Sequence, residues 1–372
     1  MTRPLEGLRV VELARVLAGP WAGQMLADLG ATVIKIEAPA GDDTRAWGPP
    51  FVDRDGSAAY FHGTNRGKRS LVADLKDAGD LARVKRLIGG ADVLIENFKV
   101  GGLRAYGLDA ATLRAADPRL IVCSITGFGQ DGPYAARAGY DFIIQGMSGL
   151  MSVTGEPDGQ PQKVGVAVTD IFTGCYAATA ILAAVHRRQA TGTGDHIDLA
   201  LFDTAVAVTA NQAMNYLASG TAPHRMGNAH PNIVPYQVFD CADGHVILAV
   251  GNDGQFRRLC GLLGLEALAT DPAYATNPAR LAYREDLVAS LTAATRLRTK
   301  ADLLAACEAQ GVPAGPINDM DEVFCDPQVV ARGLRIAPEG VPGVRSPIRF
   351  AEAEVGGDRP SPALGEDQDF DW

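Results

Sequence analysis

The alternation of short apolar runs with helix-like segments over the first 125 residues constrains this chain more than any other feature. Four runs have the length and composition of buried strands: Leu8–Leu13, Ala31–Ile36, Ala91–Ile95 and Leu120–Ile125. Two segments between them, 20–29 and 75–88, have helical spacing, and Gly30 follows directly on the first. This alternation predicts an α/β fold with a parallel sheet covered by helices on both faces.

The rest of the chain predicts a second, smaller domain. An apolar helix is expected from Ile171 to His186, followed by a strand from His196 and a helical stretch. Gly, Pro, His and Asn then concentrate in residues 219–236, which is typical of a domain crossing. We therefore predict four parts: a large domain over 1–198, a linker helix over 199–222, a small α+β domain over 223–322 and a return segment over 323–372. The polar tail from Pro360 is expected to be loose.

Charge and composition exclude several classes of protein. The 44 acidic and 34 basic residues leave a net charge of −10, which argues against a nucleic-acid binder. The longest uncharged apolar stretch, Ile171–Val185, is shorter than the roughly 20 residues that span a bilayer. Six scattered cysteines without a C-x-x-C pair indicate reduced thiols. We expect a cytoplasmic enzyme with no nucleic-acid or membrane partner.

Two cofactor motifs are absent or lack their context. Gly127, Gly129 and Gly132 form a G-x-G-x-x-G, but Pro133 follows at once and no amphipathic helix comes behind it. A loop is therefore the better interpretation, and no nicotinamide site is expected. The six histidines contain no H-x-x-x-H pair, so no metal site is expected either.

Three polar features each have two interpretations. Asp170 stands between the apolar run VGVAV, which predicts a strand, and the apolar helix that follows. It is either a helix N-cap or a nucleophile at the carboxyl edge of a sheet, where α/β proteins bind ligands. The basic segment 65–69 (NRGKR) is either a solvated face or a phosphate site. His224, Arg225 and His230 belong either to a hydrogen-bonded hinge or to a site.

The chain resembles a known family, the class III coenzyme A transferases, also called the CaiB/BaiF or formyl-CoA transferase-like family. Long segments throughout the chain carry the resemblance: LAGPWAGQMLADLGATVIKIE from Leu17, NRGKRSL from Asn65, VLIENF from Val93, SITGFGQDGPY from Ser124, VGVAVTDIFTG from Val164 and GVPAGPIND from Gly311. GDDTRAWGPPF from Gly41 and AHPNIVPYQ from Ala229 are most similar to the succinate–hydroxymethylglutarate (glutarate) CoA-transferase branch.

The resemblance implies a fold, a reaction and a set of residues. The fold is a large domain with a Rossmann-like sheet and a smaller domain, in an interlocked homodimer. Asp170 falls on the family's nucleophile, with Tyr140 and Asp141 as further catalytic candidates. The implied contacts to CoA, which enters as acyl-CoA without a metal or a nicotinamide, are Leu17, Ala18, Asn65, Lys68, Arg69, Asn97, Phe98, Lys99, Arg104 and Arg137. The chain departs from some relatives at Ala38, where they carry a basic residue, and Arg104 is offset by one position.

The expected activity is therefore CoA transfer from an acyl-CoA, with succinyl-CoA the expected donor, to a short dicarboxylate through an aspartyl-CoA thioester. The candidates for binding the acceptor's remote carboxylate are Arg45, Arg225 and His230. The alternative on the same fold is an α-methylacyl-CoA racemase. Its histidine would stand at Tyr140, so the base that such an enzyme needs is missing here.

Overall fold

A parallel sheet of six strands forms the centre of the chain in the computed structural model, which describes residues 2–372. The order is β3-β2-β1-β4-β5-β6, and every neighbouring pair is parallel. The strands are β1 (Arg9–Glu12), β2 (Thr32–Glu37), β3 (Arg69–Val72), β4 (Val93–Glu96), β5 (Ile121–Thr126) and β6 (His196–Ala200). The predicted parallel sheet is confirmed. Because the strand order reverses between β1 and β4, the crevice at their carboxyl ends is the expected ligand site.

Nine helices of residues 2–222 follow or connect these strands. They are α1 (Ala18–Asp28), α2 (Ala59–His62), α3 (Ala78–Gly89), α4 (Ala110–Ala116), α5 (Asp141–Met147), α6 (Leu150–Val153), α7 (Val168–Thr191), α8 (Leu201–Val208) and α9 (Ala210–Ser219). Side chains of α1 and α7 join one face of the sheet in a core, and side chains of α3 join the other face in a second core. Both faces of the sheet are therefore covered, as the alternation predicts.

Helix α7 is positioned by its contact with α1. A Cβ on Gly174 would lie 2.7 Å from the carbonyl oxygen of Ala18, so glycine allows the two helix starts to approach closely. By length and composition α7 could cross a membrane, yet Ala177, Ala178 and Ile181 are buried against the protein. Since core helices pass the same test, α7 is explained by its packing in the sheet's core.

Two local predictions are wrong. The run Val164–Ala167 is not a strand, because the amide of Val164 donates to the side chain of Gln145 rather than to a neighbouring strand. The predicted linker helix over 199–222 is two helices, α8 and α9, because Ala210 has a positive φ of 41° at the junction.

The chain divides into two compact units. The first takes in the N-terminal segment up to Met151, then Lys163–Ala222 and Pro327–Trp372. The second takes in Ser152–Gln162 and Pro223–Asp326. These bounds differ from the predicted ones chiefly at Ser152–Gln162, which joins the second unit because Arg225 donates to the carbonyls of Glu156, Pro157 and Gly159.

The second unit is built on an antiparallel sheet of three strands, β7 (Tyr236–Cys241), β8 (Gly244–Ala249) and β9 (Ala314–Pro316). Its helices are α10 (Asp253–Leu263), α11 (Glu266–Thr270), α12 (Asn277–Ala282), α13 (Arg284–Thr295), α14 (Lys300–Gln310) and α15 (Met320–Cys325). Phe239, Val246, Leu259 and Leu291 are among the residues of its own apolar core.

The return segment contains α16 (Pro327–Ala331) and the short hairpin of β10 (Arg335–Ile336) and β11 (Gly343–Val344). The expectation of a loose tail is wrong. The amide of Asp367 donates to Ser70, and the Gln368 amide side chain bonds both backbone groups of Val72 on β3. Trp372 donates its indole N–H to the carbonyl of Leu87. The tail thus supplies hydrogen-bond partners to backbone groups at the exposed edge of the sheet, β3.

Candidate functional site

Asp170 lies in the first turn of α7, beside the start of α1. The N-cap residue of α7 is Ala167, which has no side chain that could accept a hydrogen bond, so the interpretation of Asp170 as an N-cap is wrong. Asp141 performs this task from α5: its Oδ1 accepts from the Thr169 amide at 2.9 Å and from the Asp170 amide at 3.4 Å. The Asp170 carboxylate is therefore left available, and within residues 2–372 no hydrogen bond to it accompanies its burial and the charge of Asp141.

Asp141 is held in place by a second contact. Gln145, one turn along α5, donates from Nε2 to Asp141 Oδ2 at 2.6 Å. Gln145 also accepts from the amide of Val164 at 2.9 Å, which orients its side chain. The sequence-predicted pair Asp141 and Asp170 thus comes together, with Asp141 as the hydrogen-bonded member and Asp170 as the one left free.

Burial raises the pKa of Asp170 to about 7, and the negative charge of Asp141 contributes to the same shift. Both effects disfavour the charged carboxylate. A carboxyl group with this pKa is half ionised near neutral pH, and as an anion it is poorly solvated. These are the properties of a carboxylate that can act as a nucleophile.

A cleft of about 150 Å³ opens beside Asp170 at the carboxyl ends of β1, β4 and β5. Eight of the predicted site residues line it: Leu17, Ala18, Asn97, Phe98, Lys99, Arg137, Tyr140 and Asp170. Its position at the reversal of strand order agrees with the general rule for ligands of open α/β sheets.

A second cavity of about 540 Å³ shares a wall with this cleft. Arg15, Asn97, Phe98 and Lys99 line both. The second cavity continues past Ala38 to the loop after β3, where Lys76 contributes another cation. The two spaces together can accept a long ligand with anionic groups. Arg104 is exposed but lines neither cavity, which agrees with its offset position in the sequence.

The basic segment 65–69 does not face these cavities. Lys68 is fully buried, and its Nζ donates to Glu12 Oε1, to Asn65 Oδ1 and to the carbonyl of Pro20 at 2.8–3.0 Å. Burial lowers the pKa of Lys68 to about 8. Asn65 is equally buried, and Arg69 pairs with Asp367 at 2.7 Å. Asn65 and Lys68 are corrected from CoA contacts to structural ones, because protein groups already occupy their polar atoms. Arg69 keeps a third of its side chain exposed, and its contact with CoA stays a prediction.

The three residues predicted to bind the acceptor are also placed elsewhere. Arg45 is buried, and its guanidinium donates to Glu37, Asp55, Ser57 and the carbonyl of Pro362. All five of its N–H groups are thereby used, so the assignment of Arg45 to substrate is corrected to a structural role.

Arg225 and His230 belong to the second unit. Arg225 donates from Nε and Nη2 to three backbone carbonyls of Ser152–Gln162, and its role toward a substrate stays a prediction. The ring nitrogen Nδ1 of His230 accepts from the amide of Asn232 at 3.0 Å. The role of His230 toward a substrate stays a prediction.

Sequence reasoning missed Tyr60, which stands on the helix α2. Its pKa is raised to about 12, mainly by burial and then by the charges of Asp170, Asp141 and Asp42. The phenol therefore stays protonated near these carboxylates and can donate a hydrogen bond. Its ring packs edge-on against Trp47, with centroids 5.3 Å apart. Only the WGPPF segment of the resemblance pointed to this part of the chain.

No group of His, Cys, Asp and Glu suited to hold a metal ion occurs within residues 2–372. The glycine motif after β5 forms a loop with positive φ at Gly129 and Gly132, and the next helix begins only at Asp141. This backbone lacks the helix start that a dinucleotide-binding turn requires.

Comparisons with known proteins agree on one family. Residues 5–368 match the model of CoA-transferase family III. A succinate–glutarate CoA-transferase of Agrobacterium fabrum is 62% identical over 375 residues, which cover 98% of this chain and 94% of that protein. A human succinyl-CoA:glutarate CoA-transferase is 41% identical, and the match covers 98% of this chain and 84% of that protein. The crystal structure of a CaiB/BaiF family protein from Brucella suis superposes with a TM-score of 0.90 at 59% identity, covering 99% and 98%.

Proposed function

Because the chain belongs to CoA-transferase family III and is a CoA-transferase, we propose that it moves CoA between succinyl-CoA and glutarate. The relatives named for these substrates cover 98% of the chain at 62%, 42% and 41% identity. Other relatives at 36–40% identity are named for oxalate, mesaconate and D-citramalate, so the acceptor is a short carboxylic acid throughout. The identity values favour glutarate among them.

The observation that carries the mechanism is the free, half-buried carboxylate of Asp170 at the cleft. We infer four steps. An oxygen of Asp170 attacks the thioester carbonyl of succinyl-CoA, which gives a mixed anhydride and the CoA thiolate. The thiolate attacks the aspartyl carbonyl and releases succinate, leaving an aspartyl-CoA thioester. Glutarate attacks this thioester to form a second anhydride, and the thiolate then takes the glutaryl group and frees Asp170. Each covalent step is easier than a direct exchange.

The contacts of Asp141 support this assignment. Asp141 binds the amides at the start of α7 and so fixes the backbone that carries Asp170. Its charge also raises the pKa of Asp170, and a more basic carboxylate is a better nucleophile once it is ionised. We assign Asp141 a positioning role. The phenol of Tyr60 is available to donate a hydrogen bond where negative charge develops.

CoA is proposed to occupy the two neighbouring cavities, with its thioester at Asp170. The exposed cations that line them are Arg15, Lys76, Lys99 and Arg137. Lys76, Lys99 and Arg137 are exposed and have no carboxylate partner among the ion pairs of residues 2–372. They can therefore bind phosphate groups through charge-assisted hydrogen bonds.

A homodimer is proposed on separate grounds. α5 and α7 expose large apolar side chains in the single chain: Phe142, Ile143, Met147, Phe172 and Tyr176. An exposed group of this size is typical of an interface. The interlocked family dimer, which cannot separate without unfolding, would cover them. A folded monomer in sedimentation at micromolar concentration would contradict this proposal.

No observation favours the racemase alternative. Tyr140 is exposed and lines the cleft, but it has no imidazole that could move a proton at the carbon beside the thioester. Incubation with a 2-methylacyl-CoA in deuterated water should therefore leave that carbon without deuterium.

The decisive experiment traps the covalent intermediate. The protein is incubated with succinyl-CoA and hydroxylamine, and peptides are analysed by mass spectrometry. We expect a hydroxamate on the peptide that contains Asp170. Asp170→Asn should abolish transfer and trapping, whereas Asp131→Asn, at an exposed carboxylate of the same unit, should retain both. Asp170→Glu should lower the transfer activity about 10²-fold, since a shift on the order of 1 Å misplaces the nucleophile. An unmodified Asp170 peptide during active turnover would refute the mechanism.

A further inference from the structure

The turn that carries the chain from β1 into α1 contains a strained residue. Val16 has a φ of 72°, and within residues 2–372 it is the one β-branched residue with a positive φ. Such a backbone conformation crowds a β-branched side chain and persists only where the surroundings impose it. Val16 lines the cleft beside Asp170, between Arg15 and Leu17. Strain at such a place points to a geometric requirement of the site.

Two side chains from the loops after other strands impose this conformation. Asn97, directly after β4, accepts from the amide of Arg15 at 3.0 Å and donates to the carbonyl of Arg15 at 2.7 Å. Asp42, five residues after β2, accepts from the amide of Val16 at 3.3 and 3.2 Å. Three consecutive backbone groups of the turn are thus held by side chains rather than by secondary structure.

Asp42 is itself held in place by Lys35 and Thr44. Lys35 Nζ lies 2.9 Å from Asp42 Oδ2, and neither side chain has more than 1% of its surface exposed. Lys35 also donates to the carbonyl of Ala14 at 2.8 Å, so it holds the chain just before the turn. Thr44 donates its amide and its hydroxyl to Asp42 Oδ1 at 3.0 and 2.8 Å. A buried charge pair of this kind is costly to break, which makes the arrangement rigid.

We propose that Asn97 and Asp42 are positioning residues, which hold the Arg15–Val16 turn in its strained conformation and thereby shape the wall of the cleft for acyl-CoA. The proposal rests on the proposed function for the identity of the ligand. Asn97 thus acts on acyl-CoA through the turn, although it also lines both cavities. The physical reason is that Leu17 and Ala18, the next two residues, begin α1 at the cleft, so their location depends on the turn.

The test uses a glycine at position 16, since glycine adopts a positive φ without steric cost. Asn97→Ala should lower kcat/KM for succinyl-CoA about tenfold, because two hydrogen bonds to the turn are lost. In the double variant Asn97→Ala with Val16→Gly, kcat/KM should return to within about threefold of the value for Val16→Gly alone. The reason is that a turn with glycine at position 16 no longer needs the hydrogen bonds from Asn97 to keep its conformation. The kcat/KM for glutarate should change less, because glutarate reacts with CoA that is already bound to the enzyme.

Lys99→Ala provides the matched control. Lys99 lines the same two cavities, but it has no bond to the turn. The fall in kcat/KM caused by Lys99→Ala should therefore add to the effect of Val16→Gly, and the second substitution should not restore activity. If Val16→Gly fails to rescue Asn97→Ala, or rescues Lys99→Ala equally, the positioning role is refuted and direct contact with the ligand explains Asn97.

A second measurement needs no substrate. Amide hydrogen exchange of the peptide spanning residues 15–17 should be faster in Asn97→Ala than in the wild type, while peptides of α3 stay unchanged. Unchanged exchange at 15–17 would overturn the proposal. If the wild type transferred no CoA from succinyl-CoA to glutarate, the proposed function would fail, but the exchange rates would still decide the role of Asn97.

Discussion

Asp170→Asn should stabilise the protein, and the gain should grow with pH. The carboxylate of Asp170 is half-buried beside Asp141, and its pKa rises from the ordinary 3.8 to about 7. Because one pKa unit corresponds to about 1.4 kcal/mol, ionising Asp170 in the folded protein costs up to about 4 kcal/mol. Asparagine has a similar shape and cannot ionise, so the variant avoids this cost.

The sign follows from the protons bound in each state. Between about pH 4 and pH 7 the folded state keeps the Asp170 proton that the unfolded state releases, so stability falls as pH rises. Below pH 4 both states are protonated and the group contributes no difference. The variant's advantage should therefore be about 1.5 kcal/mol at pH 5 and about 4 kcal/mol at pH 8.

The assay is urea unfolding at pH 5 and pH 8, at one fixed protein concentration because the stability of the proposed dimer would depend on concentration. Wild type, Asp170→Asn and Asp131→Asn are compared, with the slope of the unfolding free energy against urea checked for each. Asp131 is exposed, and its variant should show no such trend. An advantage of Asp170→Asn that is equal at both pH values would refute the raised pKa.

Three further predictions concern activity and stability. Asp141→Asn removes the charge beside Asp170, so the acid limb of kcat/KM for succinyl-CoA should move from about pH 7 to lower pH in a pH–rate profile; an unmoved limb would contradict the coupling. Lys76→Ala and Lys99→Ala should each raise KM for succinyl-CoA about tenfold, measured by initial rates, with glutarate little affected. Arg45→Met should leave KM for glutarate unchanged but cost about 3–5 kcal/mol of unfolding free energy, because Glu37 and Asp55 would be left buried without their partner.

Elements with a strong local signal could be predicted from the sequence. The strands β1, β2, β4 and β5 were each expected within about two residues, since apolar runs bounded by polar residues depend only on neighbours in the chain. β3 was missed because its four residues include an arginine and a serine. The tail after Pro360 was misjudged because its partners, Ser70 and Leu87, lie almost 300 residues away in the sequence.

By itself the sequence determined the α/β class, the family and Asp170 as the candidate nucleophile, because these depend on local patterns and on long runs of matching residues. The tertiary structure decided what each charged residue does. Lys68 and Lys99 are the same residue type in similar basic segments. Lys68, however, is buried and paired with Glu12, whereas Lys99 lines the cleft. The pKa of Asp170 and the strain at Val16 likewise depend on groups brought close through space. Electrostatic energy depends on distance and on the exclusion of water, and neither is determined by separation along the chain.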